Sequence, residues 1–241
     1  MSFYTAAVGA GQQQLRLNVQ SNNIANVNTY GFKAESPSFA SLMYGTINGI
    51  DNQNLPRGTG ARMMMADTNF KEGAAYQTGR KFDYCIFGDG FFALYDPSNG
   101  EISYTRDGSF TISQYERPNQ DGGQETVYML SDGDGRFVLN QNNEPLEVID
   151  PEDTQPIAVY DFQNTNGMYP IGGNRFLPLD KNGPAQLLEN ATIEQGFLEA
   201  SNADLAHEMV KVIEAQRSYS YALKMVQTSD EIESTFNGLR G

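Results

Sequence analysis

The sequence predicts an α+β protein in which long N- and C-terminal helices pair as a coiled coil around an inserted, antiparallel β-rich middle. Three observations predict this. Apolar residues recur at heptad spacing at both ends, Asp-Gly turns divide the middle into short segments, and the first helix is almost without charge.

The N-terminal helix is read from Met1 to about Asn28. Phe3, Ala10, Leu17 and Ile24 recur every seven residues, with Ala6, Gln13, Gln20 and Val27 interleaved. A second stripe, Tyr4, Val8, Leu15 and Val19, lies to one side. Ser2 is the expected N-cap, and Gly31 the expected left-handed stop. Arg16 is the one charged residue before Lys33, where average usage gives about eight. Gln and Asn fill the polar face, including Asn22, Asn23, Asn26 and Asn28. Amides bond to neighbouring chains without the desolvation cost of a charge, so protein is expected around most of this helix.

The middle, from about 60 to 195, carries one local pattern three times: "DGFFAL" at 89–94, "DGSFTI" at 107–112 and "DGRFVL" at 134–139. Asp-Gly favours hairpin turns, and residues two apart share a strand face. Hairpins are therefore expected to send Phe92 with Leu94, Phe110 with Ile112, and Phe137 with Leu139 into one core.

The C-terminal stretch opens at Ser201 with Asp204 three residues on, a capping-box-like start. Leu205, Met209, Val212, Gln216, Tyr219, Leu223 and Val226 then step by four and three, and Ile232, Phe236 and Leu239 resume the phase. The pattern predicts a helix of roughly 35 residues, long for a globular protein. The expected division is 1–35 with 200–241 as the helical domain, 36–75 as a connecting segment and 76–199 as the β-rich domain. The Gly- and Asn-rich stretch 44–60 is read as a linker.

Composition excludes several functions. A net charge of -14 opposes nonspecific nucleic-acid binding. No apolar run reaches ~20 residues, so no membrane span is expected, and the N-terminus lacks the pattern of a cleaved signal peptide. Cys85, the single cysteine, reads as a small buried side chain. His207, the single histidine, lacks a nucleophile elbow and reads as a solvated helix position. "SDGDGRF" has Arg136 and Phe137 where a calcium loop needs Asp or Asn and then Gly, and reads as a turn. No catalytic, cofactor or metal residues are assigned.

The motifs add a family. "NVQSNNIANVNTYGFKAE" resembles the N-terminal signature of the bacterial flagellar rod and hook proteins. Asn22, Asn23, Ile24, Ala25, Asn26, Asn28, Thr29, Gly31, Phe32 and Lys33 stand in its positions, with Ile24 in place of the commoner Leu. "YQTGRKFDYCIFGDGFFALYD", "SYTRDGSFTI" and "GFLEASNADLAHEMVKVIEAQRSYSYALKMVQTSDEI" resemble three further family segments in the right order, with Ala203 for the usual Val. The resemblance implies a rod subunit of the flagellar basal body, not an enzyme, exported uncleaved by the flagellar type III apparatus. It implies a helical polymer of this chain with adjacent rod and hook proteins as partners, located in the basal body, which transmits torque from motor to hook. Contacts between subunits are expected at Leu17, Asn22, Asn23, Ile24, Asn26, Asn28, Gly31 and Phe32. In the C-terminal helix they are expected at Leu205, Met209, Val212, Gln216, Arg217, Tyr219 and Leu223. A hook or hook-basal-body subunit is the nearest alternative. A secreted carbohydrate-binding or enzymatic β domain would need a pocket ringed by exposed Tyr, and a cytosolic coiled-coil adaptor would need a charged first helix.

Overall fold

A computed structural model describes residues 2–43, 45–48, 54–58, 60–118, 124–150 and 155–239, with the backbone alone at 2, 45–48, 54–57, 118 and 124. The side chain of Ser2, the expected N-cap, and most of the expected linker 44–60 lie outside the described part.

Helix α1 spans Ser2–Ala25 and helix α2 spans Leu205–Gly238, so the two flank an antiparallel β-rich middle. Between them run β1 (Glu35–Ser41), β2 (Gly45–Asn48), β3 (Asn54–Arg57), β4 (Ala61–Thr68), β5 (Ala75–Gln77), β6 (Tyr84–Phe87), β7 (Phe91–Tyr95), β8 (Ile102–Thr105) and β9 (Thr111–Pro118). Then follow β10 (Gln124–Ser131), β11 (Phe137–Val138), β12 (Val159–Asp161), β13 (Tyr169–Gly172), β14 (Arg175–Leu177), β15 (Gln186–Leu187), β16 (Thr192–Gln195) and β17 (Phe197–Glu199).

The chain forms two compact units. The helical unit holds Met1–Ala25, Glu35–Asp67 and Ala203–Gly241, and the β unit holds Asn26–Ala34 and Thr68–Asn202. In the helical unit β1 pairs with β4 and β2 with β3. In the β unit the main sheet runs β13-β14-β8-β7-β11-β10-β9, with β12 attached to β7 and β15, while β6 pairs with β16 and β5 with β17.

Two apolar clusters fill the β unit. One holds Tyr84, Ile86, Phe92, Leu94, Phe110 and Leu130, and the other Phe91, Tyr104, Leu139, Tyr160, Phe162 and Phe176. Adjacent Phe91 and Phe92 serve different clusters because consecutive strand residues point to opposite faces. Cys85 is buried, and burial pushes its thiol up to about 11.

Several expectations change at the turns. Of the three patterned Asp-Gly pairs, only Asp134-Gly135 lies in a hairpin, where Ser131 of β10 faces Phe137 of β11. The first two join strands that pair elsewhere: β6 with β16, β7 with β8, and β9 with β10. At the second, Asp107 Oδ1 accepts from Ser109 N at 3.0 Å, a local turn that needs no partner strand. Gly108 is required for close approach instead, since a Cβ there would sit 1.8 Å from Tyr84 O. The pattern also sends its side chains to different places. Phe92, Leu94 and Phe110 share a cluster, Leu139 lies in the other, Phe137 packs with Val127 and Met129, and Ile112 is exposed.

The helix ends differ too. α1 stops at Ala25, six residues before Gly31. Asn26 turns the chain, its carbonyl accepting from Thr29 N at 3.1 Å and its side chain from Thr29 Oγ1 at 3.2 Å. Short amide side chains that bond locally compete with helix continuation. Gly31 is left-handed, with φ 67°, because the backbone passes close to Asp107; a Cβ would lie 2.4 Å from Asp107 N. α2 is capped by Asp204 rather than Ser201: Oδ1 accepts from Ala206 N at 2.9 Å and from His207 N at 3.4 Å. Its 34 residues match the expected length.

Gly31→Ala is expected to destabilise the β unit by at least about 1–2 kcal/mol, the cost of a left-handed residue with a Cβ before any overlap is counted. Urea unfolding of the full chain measures it.

Candidate functional site

The helical unit presents the first surface of interest. Arg16 Nη2 meets Glu214 Oε2 at 3.3 Å. Gln20, with its amide turned to satisfy both atoms, donates to Lys211 O at 3.1 Å and accepts from Arg16 Nε at 3.0 Å. Asn23 Nδ2 donates to Glu208 Oε2 at 3.2 Å. Ascending numbers in α1 meet descending numbers in α2, so the helices run antiparallel. Asn23 also donates to Glu35 O at 2.8 Å and accepts from Glu35 N at 2.9 Å. The amide that the sequence points toward other chains thus makes three bonds inside its own.

What the helices bury decides what they can do alone. In α1 the fully buried side chains are Ala10, Gln20 and Asn23; in α2 they are Glu208 and Ala215. None is a large apolar group, so the term worth about 1.5–3 kcal/mol per Leu, Ile or Phe is largely missing from this pair. In α1, Leu17 and Ile24 are half-buried, as their heptad positions suggest, while Asn22 is exposed. In α2 the covered face passes through Glu208, Val212, Ala215, Tyr219, Ala222 and Val226. Leu205, Met209, Gln216, Arg217 and Leu223 stand outside that face and are exposed. A further line, Val210, Tyr221, Met225, Ile232, Phe236 and Leu239, is exposed along the length of α2. The open face of α1 holds Phe3, Tyr4, Ala7, Gly11, Gln14, Leu15, Asn18 and Asn22 and carries no charge.

The second feature lies wholly within the β unit. Lys33 Nζ donates to Glu199 Oε1 at 2.5 Å and to Lys71 O at 2.8 Å. Arg106 Nη1 lies 3.5 Å from Glu199 Oε2, and Gly73 N donates to Oε1 at 2.7 Å. All three charged side chains are almost fully buried. Arg106 also donates to Gly88 O at 2.7 Å and lies over the Phe91 ring. Two cations share one carboxylate. Burial therefore pushes the Lys33 amine below its ordinary value; Glu199 opposes that shift, and Arg106 adds to it.

Beside the triad, Asn202 donates to Asn69 O at 2.7 Å and Lys71 O at 2.8 Å and accepts from Ala34 N at 2.8 Å. Gly31 N donates to Glu199 O at 2.8 Å, and Phe32 is buried. Gly31, Phe32, Asn26 and Asn28 therefore belong to the β unit, with Asn28 exposed. Arg106, Glu199 and Asn202 were not singled out from the sequence. Their signal in the sequence is that each sits inside a family-like motif, "YTRDG" at 104–108 or "LEASN" at 198–202.

A cavity of about 470 Å³ in the β unit is lined by Phe70, Phe91, Phe162, Lys71, Arg106 and Asn164 among others, without a tyrosine. Asp132 and Asp134, the carboxylates of the calcium-like turn, both bind Arg136, at 2.6 and 2.8 Å. No described helix is long and apolar enough to cross a membrane.

Comparison with known proteins matches three segments to family profiles. Residues 3–33 match "Flagella basal body rod protein", 85–126 match "Flagellar hook protein FlgE/F/G D1 domain", and 194–239 match "Flagellar basal body rod FlgEFG protein C-terminal". Lys33, Arg106 and Glu199 come one from each. The flagellar basal-body rod protein FlgG of Buchnera aphidicola subsp. Schizaphis graminum is 31% identical over 96% of both chains. FlgG of Borreliella burgdorferi is 31% identical over 99% of this chain and 98% of its own length. The rod protein FlgF of Caulobacter vibrioides is 31% identical over 90% of this chain and 88% of its own.

Glu199→Gln leaves two buried cations without a counter-charge and is expected to cost about 3–5 kcal/mol, read by urea unfolding. The folded chain holds the Lys33 proton less tightly than the unfolded chain does. Stability relative to Lys33→Met therefore rises with pH between the lowered value and the ordinary lysine value. Paired unfolding curves across that window check the sign.

Proposed function

The chain belongs to the flagellar basal-body rod protein family, and from that premise we propose that its copies stack around the flagellar axis as a drive shaft carrying torque from motor to hook. It is a structural subunit of the basal-body rod and resides in the flagellar basal body. The observation that carries the polymer reading is the incomplete burial of α1 and α2. Apolar lines on α2 and an uncharged face on α1 lie open in a single chain, although each suits packing against protein. Water would be met more cheaply by Lys and Glu, as on the outer positions of an isolated two-stranded coil.

In this reading α1 and α2 pair as an antiparallel coiled coil, and neighbouring copies cover the flanks of both helices. Head-to-tail contacts that do not close generate a helical filament. Adjacent rod and hook proteins cap its ends through the same faces. Leu205, Met209, Leu223 and Leu15 take the burial between copies, while Asn23 holds the pair together within one chain. Before assembly the two helices gain little from each other, which suits passage of an extended chain through the flagellar type III export apparatus. The β unit keeps its own core and needs no neighbour. Matches to FlgG-named relatives over 96–99% of the chain favour an FlgG-type subunit over an FlgF-type one.

Two experiments test the proposal. Limited proteolysis of the dilute full chain is expected to remove both helices and leave the β unit, Asn26–Ala34 with Thr68–Asn202. Helices that survive as well as the sheet would contradict it. Leu15→Glu and Val210→Glu, each on an exposed face, are expected to leave the melting temperature of the β unit unchanged. Each nevertheless abolishes polymerisation and motility in the bacterium that encodes the chain. Normal rods from both variants would place the contacts elsewhere.

A further inference from the structure

The chain passes between its two units at four places: after Ala25, Ala34, Asp67 and Asn202. Asn202 stands at the last. Its Oδ1 accepts from the backbone N–H of Ala34, the residue before the second crossing. Its Nδ2 donates to the carbonyl of Asn69, just after the third, and to that of Lys71. Its backbone N–H reaches Phe32 O at 3.4 Å, and Asn69 N donates to Ala34 O at 2.8 Å. Three of the four crossings are thus tied at one side chain, and every atom involved belongs to the β unit. Asparagine suits the position because it donates and accepts from one short planar group. Aspartate cannot donate, and alanine can do neither.

We propose that Asn202 is a positioning residue that locks three chain crossings into one node, so that torque passing along the chain between the two units is shared by three strands at once. Without the side chain, the second and third crossings keep the Asn69–Ala34 backbone bond and the β1–β4 pairing, but the fourth loses its side-chain ties to both. The proposal rests on the shaft reading above and adds to it the place where the chain resists shear. Because the node closes within the β unit, it forms whether or not the helices have assembled.

Asn202→Ala and Asn202→Asp in the full-length chain test it. In Asn202→Ala, loss of the bond to Ala34 N is expected to speed hydrogen exchange of that amide by about 10- to 100-fold, with the amide of Phe92 in the sheet unchanged; Asn202→Asp still accepts there and loses only the bonds to the Asn69 and Lys71 carbonyls. In the encoding bacterium, rod number by electron microscopy should match wild type. Swimming should also match in dilute buffer and fall progressively behind as medium viscosity rises. A residue that only added stability would lower rod number at every viscosity. Wild-type swimming at high viscosity, unchanged exchange at Ala34 in Asn202→Ala, or absence of rods in both variants would each overturn the proposal. A deletion strain that still builds its rods would defeat the shaft reading instead, so the two failures are distinguishable.

Discussion

The two terminal helices cannot complete a core between them. The fully buried groups of the two helices are Ala10, Gln20, Asn23, Glu208 and Ala215, hydrogen bonds join the helices, and the large apolar side chains of their covered faces are no more than half-buried. Such bonds fix geometry but add little net free energy, about 0.5–1.5 kcal/mol each. The polar seam defines the antiparallel register, from Asn23 with Glu208 to Arg16 with Glu214, while Leu17, Ile24, Val212, Tyr219 and Val226 are only half-buried and further apolar groups stand on the flanks. In the proposed shaft, a chain built this way has a register before it has stability, and neighbouring copies supply the rest.

The β unit is the reverse case. Its clusters of Phe, Tyr, Leu and Ile are closed within one chain. Its most expensive feature is the triad of Lys33, Glu199 and Arg106. A buried ion pair seldom stabilises more than an apolar replacement would. Its value here is specificity: Glu199 accepts from Lys33 on the N-terminal side and from Gly73, faces Arg106 in the middle of the chain, and offers its own carbonyl to Gly31. A wrong docking of the Lys33 or Arg106 segment would leave a buried charge without a partner, and of the Gly31 or Gly73 segment a backbone N–H.

Much of this was legible in the sequence, and the rest was hidden for identifiable reasons. The α1 stripe and the length of α2 follow from periodicity, which survives tertiary context over several turns. The covered face of α2 follows only in part: Val212, Tyr219 and Val226 belong to the periodic stripe, but Glu208, Ala215 and Ala222 complete the face while Met209 and Leu223 lie beside it. A reading that seeks large apolar residues chooses the flank. Asp-Gly reads as a hairpin signal in three places, yet in two of them strand partners are chosen across the sheet, and Gly108 is there to let Tyr84 approach. The triad and Asn202 join residues up to 168 positions apart, which no local spacing reveals. Their motifs were visible, but not the fact that they meet.

The central claim is that α1 and α2 are completed by neighbouring copies. Far-ultraviolet circular dichroism of the full chain, recorded as dilute monomer and as polymer, tests it most directly. The account predicts that the helical signal of the 24-residue α1 and 34-residue α2 is weak in the monomer and appears on assembly, while the β signal is the same in both. Equal helical signal in the two states would contradict it.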